Sequence, residues 1–267
     1  MIDFEEVLLI DCEDSGIVEV PVEGGAVVAY SARGPGKDRN EDSVLVARFS
    51  GGCLMAVADG MGGMSSGDRA SRLALETLVE RLAEGQEGTE QRRHVLLDAL
   101  EEANRRILDL GVGAGTTLAA TILSHGSARP VHVGDSACLH VGSGGRVKSW
   151  TISHSPIGYA VEAGLMDEQE ALHHRLRHLV SNYLGTEDMR IEFGLSVQVA
   201  KQDTLLVATD GLFDNLTSAE IIERIRRGNP RAACEDLSQL ARRRMLDPRP
   251  GEPTKPDDLC LLLYRPN

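Results

Sequence analysis

Aromatic residues make up only 3% of this 267-residue chain, with a single tryptophan, so its core must be built from aliphatic side chains. The 42% of hydrophobic residues suffice for a sizeable one. The five cysteines, Cys12, Cys53, Cys138, Cys234 and Cys260, are scattered and form no CxxC pair. A disulfide scaffold and a thiolate zinc site are therefore not expected; buried free thiols in a reducing compartment are. No apolar run approaches the length of a membrane span. The opening "MIDFEEVLLIDCED" is acidic where a secretory signal would be basic, so a cytoplasmic protein is expected. Basic residues are outnumbered, and a net charge of −13 argues against nucleic acid or an anionic membrane as the main partner. The basic clusters "RIRRG" at 224–228 and "ARRRM" at 241–245 read as solvated helix faces. An acidic surface leaves room for a divalent cation.

Short strand-like runs fall at 26–30, 43–47, 54–58, 118–123, 131–133, 139–141, 147–150, 192–199, 204–208 and 259–264. The "GSGG" at 142–145 reads as a hairpin loop. Helical periodicity covers 68–82 and 90–110, with Gly111 as the stop. Thr217-Ser-Ala-Glu220 reads as a capping box ahead of Ile221, Ile222 and Ile225, and Pro230 as the opening of a further helix. This order lacks strict β-α alternation, so antiparallel sheets with segregated helices are expected rather than a doubly wound parallel sheet. The segment 153–184 has few apolar anchors and reads as a mobile excursion from the sheet. Its His154, His173, His174 and His178 are expected on the surface or in that excursion.

One feature recurs. "CLMAVADGMGG" at 53–63 runs an apolar strand into Asp59, beside Gly60, Gly62 and Gly63. "VHVGDS" ends a strand in Asp135, and "TLLVATDGLFDN" ends one in Asp210 with Asp214 close behind. "RNEDSVLV" and "KPDDLCLLLY" begin strands with Glu41-Asp42 and Asp257-Asp258. A lone acid at a strand end is ordinarily a solvated turn residue. Five such ends brought together would repel and raise one another's pKa unless cations lay between them. All-oxygen donors with glycines alongside suit Mg²⁺ or Mn²⁺.

The set "RNED", "VADGMGG", "GTTLAA", "VHVGDS", "ATDGLFDN" and "KPDDLCLLLY" resembles the metal-dependent protein phosphatases, the PPM or type 2C Ser/Thr phosphatases, and its "DGMGG" form resembles their bacterial branch. The resemblance covers residues 26–264 with the motifs in order. It implies an α+β fold in which two antiparallel β-sheets are sandwiched between pairs of α-helices, with a flap at 153–184, the whole of 1–267 being one such domain. It also implies two bound ions, Mn²⁺ or Mg²⁺. Asp59 would bridge them, the Gly60 carbonyl would face one, and Glu41 would serve the second through water. Asp210 and Asp257 would complete the first, while Asp135, Asp214 and Asp210 would form a third, weaker site. A metal-bridging water would attack phosphorus in line, with no covalent phospho-enzyme.

The chain departs from the family pattern in places. The phosphate-binding arginine four residues before the metal-site glutamate is Lys37 here, with Arg39 two before it and Arg33 further off. Lysine holds phosphate as a point charge without arginine's bidentate fork, and Lys37 is preferred over Arg39. Met61 stands where the eukaryotic branch often has a histidine proposed as general acid, and it has no proton to give. Ala137 and Cys260 replace residues common in the family and read as structural. The expected activity is hydrolysis of phosphoserine and phosphothreonine in proteins by a monomer, with a bacterial Ser/Thr kinase and its targets as partners by family analogy. One rival is a catalytically silent PPM-like module that binds phosphoproteins, although the main metal acids are all present. Another is a two-metal phosphodiesterase or nuclease, disfavoured by the net charge.

Overall fold

The computed structural model describes residues 4–61, 66–84 and 89–267, with side chains from 92 onward in the last stretch. Gly62 and Gly63 therefore lie outside the described residues. In chain order the first strands are β1 (Glu5–Ile10), β2 (Val18–Val22), β3 (Gly25–Ala32), β4 (Asp42–Phe49) and β5 (Gly52–Met61). Helices α1 (Gly67–Glu84) and α2 (Thr89–Leu108) follow. Next come β6 (Gly115–Thr116), β7 (Leu118–Ser124), β8 (Ser127–Val133), β9 (Ala137–Val141) and β10 (Val147–Trp150). Two short helices, α3 (Pro156–Glu162) and α4 (Glu168–His173), precede β11 (Glu192–Phe193), β12 (Val197–Gln198) and β13 (Thr204–Ala208). The chain closes with α5 (Asp210–Phe213), α6 (Ser218–Ile225), α7 (Pro230–Leu246) and β14 (Leu259–Pro266).

Two antiparallel sheets result. One runs β1-β4-β5-β7-β8-β11, with β12 also on β8 and β6 on β5; the other runs β10-β9-β13-β14-β3-β2. Strand periodicity explains the layering. On β14, Leu259, Leu261 and Leu263 face the α7 side, while Cys260, Leu262 and Tyr264 face the opposite sheet. On β5, Leu54, Ala56 and Ala58 pack toward the first helix pair, and Cys53, Met55 and Val57 point into the sandwich. Strands apolar on both faces are what a sheet covered on both sides requires. Alanines at 70, 74, 99 and 103 let α1 and α2 lie close on the first sheet, and α6 and α7 cover the second. The expected α+β sandwich is thus present, and its interior is aliphatic.

The local signals also hold. Thr217 and Glu220 form the reciprocal capping box of α6, and Asn229 caps α7 ahead of Pro230. Gly111, at φ 66°, follows α2. Strands β1 and β2, both at sheet edges, are not foreshadowed by the apolar runs. The run 192–199 is two short strands rather than one. Gly194 donates to Pro130 O at 2.9 Å, but Pro130 has no N–H to return, and the ladder breaks there. Among the described residues, no helix is long and apolar enough to cross a membrane.

Candidate metal centre

The acids converge at one end of the sandwich. Asp42 opens β4 and stands opposite Asp59 on β5 in the register of the pair. The strand does not stop at Asp59 but continues through Gly60 and Met61, where it pairs with β6. The "GTT" motif explains this. Thr117 N and Thr116 Oγ1 both donate to Asp59 O at 2.9 Å, and Asp59 N donates to Thr117 Oγ1 at 3.2 Å. Thr117 Oγ1 in turn lies 2.7 Å from Ser136 Oγ, which ties this strand end to the "GDS" loop carrying Asp135. Gly60 is required by close approach: a Cβ there would stand 2.2 Å from Gly67 O and 2.6 Å from Glu41 O. The start of α1 and the loop before β4 are thereby brought against the Asp59 backbone.

The other acids come from the second sheet. Asp210 begins α5 and Asp214 ends it, its N–H donating to Asp210 O at 2.7 Å. Asp257 and Asp258 precede β14. The Asp258 side chain is fully buried and accepts from Gly34 N at 2.7 Å, Glu41 N at 2.9 Å and Lys37 Nζ at 2.9 Å. Asp42 accepts from Thr209 Oγ1 at 2.7 Å. Two ammonium groups enter this cluster. Lys37 Nζ lies 2.5 Å from Asp257 Oδ1 and 3.9 Å from Glu41 Oε2. Lys255 Nζ pairs with Asp210 Oδ2, with Asp214 Oδ2 at 2.9 Å and with Asp257 Oδ2 at 3.2 Å.

Electrostatics follow from this crowding. Burial, then the Asp42 and Asp210 carboxylates, push Asp59 well above the usual carboxylate range. Burial and the neighbouring Asp210 and Asp214 raise Asp135 to about 8, and burial with Asp210 raises Asp214 to about 6. Glu41 is also raised, first by burial. Asp257 is the exception: burial pushes it up, but Lys255 and Lys37 together hold it below its ordinary value. Asp135 Oδ1 is buried without a hydrogen-bond partner among the described residues. Carboxylates that outnumber the ammonium groups, with Asp135 Oδ1 and Asp214 Oδ2 both buried without a hydrogen-bond partner among the described residues, make an all-oxygen donor set short of positive charge. That fits hard divalent cations.

Glu41, Asp59, Gly60, Asp135, Asp210, Asp214 and Asp257 all belong to this region, and so does Lys37. Arg39 is largely exposed and donates to Asp68 Oδ2 at 2.9 Å rather than to the clustered acids. Arg33 is held by Asp38 O and Glu13, each at 3.0 Å. Lys255 carries no role in the sequence pattern, and Asp42 and Asp258, strand-end acids there, gain their partners only here. The doubled acid in "KPDDL" and the lysine two residues before it are the available signals.

The histidines of 153–184 are not all exposed. His154 is buried, not on the surface. Its Nδ1 accepts from Gly134 N at 3.1 Å and Asn182 Nδ2 at 2.8 Å, so its Nε2 carries the proton and donates to Glu192 at 3.1 Å. His154 N donates to Gly134 O, and Ser181 N to His154 O, both at 2.9 Å. The start of 153–184 is therefore tied to the loop that carries Asp135, and Ser181 near its end is tied back to His154. His132, His154 and Glu192 have nitrogen and oxygen atoms within 4.8 Å of one another. The His154 proton is committed to Glu192, however, and the two rings stack at 4.2 Å, so the group reads as a structural tie. His174 and His178 have the spacing of a helical ligand pair, but α4 ends at His173 and His178 is exposed. Above the acids, a cavity of about 430 Å³ separates α3 and α4 from α5 and α6, lined in part by Asp135, Ile157, Val161, Asp210, Phe213 and Asp214.

Comparison with known proteins agrees with this geometry. The pattern of the family described as Protein phosphatase 2C matches residues 35–242. A protein phosphatase 2C-type protein of Streptococcus pyogenes is 31% identical over 198 residues, 70% of this chain and 79% of that protein. The serine/threonine protein phosphatase PstP of Mycobacterium tuberculosis is 30% identical over 223 residues, 80% of this chain but 41% of its own length. A solved structure of the PstP catalytic domain in complex with two manganese ions covers 98% of each chain with a TM-score of 0.69 at 21% identity, a likeness of fold. This chain belongs to the protein phosphatase 2C family, the PPM-type serine/threonine phosphatases.

Proposed function

We propose that this protein hydrolyses phosphoserine and phosphothreonine in proteins at the acid cluster, using two divalent ions, Mn²⁺ or Mg²⁺. Asp59, Glu41, Asp210 and Asp257 would hold the ions, with the Gly60 carbonyl facing one of them. The observation that carries this reading is the convergence of carboxylates from both sheets around Asp59, with Asp135 raised to about 8 and Asp135 Oδ1 left without a hydrogen-bond partner among the described residues. Such ions, when bound, lower the pKa of a water they hold and neutralise charge that builds on the phosphoryl oxygens.

The chain's own groups supply the rest. Thr116 and Thr117 fix the Asp59 backbone, which sets where that carboxylate can reach. Lys37, held between Asp257 and Asp258, is the ammonium placed to take a substrate phosphate as a point charge. Met61 ends β5 without a proton for the leaving oxygen. The flap and the cavity beneath it offer a surface for the protein around the phosphate. The whole of 1–267 is read as one phosphatase domain acting as a monomer. The free cysteines, four of them buried, favour the reducing cytoplasm, and a Ser/Thr kinase with its targets is the partner class proposed.

The test is phosphate release from a phosphothreonine peptide with Mn²⁺ against an EDTA control. Release that depends on the metal is expected. A protein that binds Mn²⁺ and the peptide but releases no phosphate is a silent binding module, and the reading fails.

A further inference from the structure

Lys255 is held in a way that an ordinary surface lysine is not. Its N–H donates to Asn215 Oδ1 and its C=O accepts from Asn215 Nδ2, both at 2.8 Å. Asn215 is itself fully buried and donates also to Gly211 O at 2.9 Å, at the start of α5. Pro256 follows and restricts the Lys255 backbone to extended conformations. The preceding residue is fixed too, since Thr254 Oγ1 donates to Arg244 O at 2.9 Å and Arg177 donates to Thr254 O at 2.5 Å. The backbone is thus clamped on the same buried asparagine that positions α5, and the side chain points into the acids that α5 carries.

Three carboxylates surround the Lys255 ammonium, Asp210 as a hydrogen-bond acceptor and Asp214 and Asp257 at ion-pair distance. Lys255 Nζ meets Asp210, Asp214 and Asp257, and its side chain is 20% exposed. Two of these, Asp210 and Asp214, are carboxylates whose oxygens a third ion would need. An ion there would lie within a few ångströms of a cation that its clamped backbone keeps in place. A divalent ion and an ammonium held that close repel one another strongly.

We propose that Lys255 is a resident cation on the Asp210–Asp214 side of the cluster, so that this phosphatase binds two divalent ions and not three, and that Lys255 moderates how tightly the ion at Asp210 and Asp257 is held. The proposal rests on the two-ion reading above and deepens it. Lys255 acts here as a positioning residue: it sets the number and grip of the ions.

The experiment is a count of Mn²⁺ bound per chain at saturation, by equilibrium dialysis with metal analysis, joined to calorimetric titration. Wild type is expected to bind two ions. Lys255→Met keeps most of the side-chain length without the charge, and is expected to bind three, with the ion at Asp210 held about tenfold more tightly, a coupling of ordinary size. Lys255→Arg keeps the charge and is expected to stay at two. Wild type binding three ions overturns the proposal and leaves the phosphatase reading standing, as does Lys255→Met binding two with unchanged affinity. Wild type binding no Mn²⁺ overturns the two-ion reading and the proposal with it. If Lys255→Met does not fold without metal, Lys255→Gln, which also removes the charge, is counted in its place with the same expected and refuting results.

Discussion

Replacing Asp135 by asparagine is expected to stabilise the metal-free protein. The carboxyl sits in the loop between β8 and β9, where burial and the Asp210 and Asp214 carboxylates raise it from 3.8 to about 8. Because the folded value lies above the unfolded one, its contribution to stability is intact below the unfolded pKa of 3.8 and is lost as pH rises toward about 8. Between those two values the unfolded carboxyl is ionised and the folded one is not, which costs about 1.4 kcal/mol for every pH step of one. At pH 7 the loss therefore has an upper bound of about 4 kcal/mol. The acids titrate jointly and the site relaxes as charge enters, so the gain expected in Asp135→Asn is about 1–2 kcal/mol. The assay is urea unfolding in EDTA, followed by circular dichroism at pH 5 and at pH 8. The variant should be more stable than wild type at pH 8, with a smaller gap at pH 5. A variant less stable than wild type at pH 8, or a gap independent of pH, refutes the reasoning that carboxylate repulsion burdens the empty cluster.

Asp59→Asn and Asp210→Asn are each expected to abolish phosphatase turnover while the unfolding transition survives; near-wild-type activity in either removes that residue from the centre. Lys37→Ala should lose about 2–3 kcal/mol in kcat/KM, the scale of a charged hydrogen bond. Arg39→Ala, whose guanidinium is turned to Asp68, should keep nearly all of it, and the reverse pattern in a kinetic comparison would move the phosphate site to Arg39. Amides in 153–184 are expected to exchange hydrogen faster than those of β5 and β13, since only short helices and a few buried side chains hold that segment. Substituting exposed Arg175 should lower activity on a phosphoprotein more than on an aryl phosphate; equal effects on both substrates would take the flap out of substrate docking.

Most of the element order and the inventory of acids were legible in the residues themselves. Period-2 runs such as 259–264 and helical runs such as 68–82 carry their own directions, because side-chain spacing along a regular backbone is a local property. The capping box at Thr217 and the opening of α7 at Pro230 are likewise decided within a few residues. The acids at strand ends were legible because each is marked by the glycine, turn or second acid beside it. Tertiary structure alone decided what those acids face. Lys255 lies 45 positions from Asp210, and Lys37 lies 221 from Asp258, so neither pairing has a signature in local spacing. The same holds for His154, which looks like a residue of a polar loop until Gly134 and Asn182 close on it. A charge's energy depends on which charges meet it and how much water is left, and both are fixed only when segments distant in the chain are packed together.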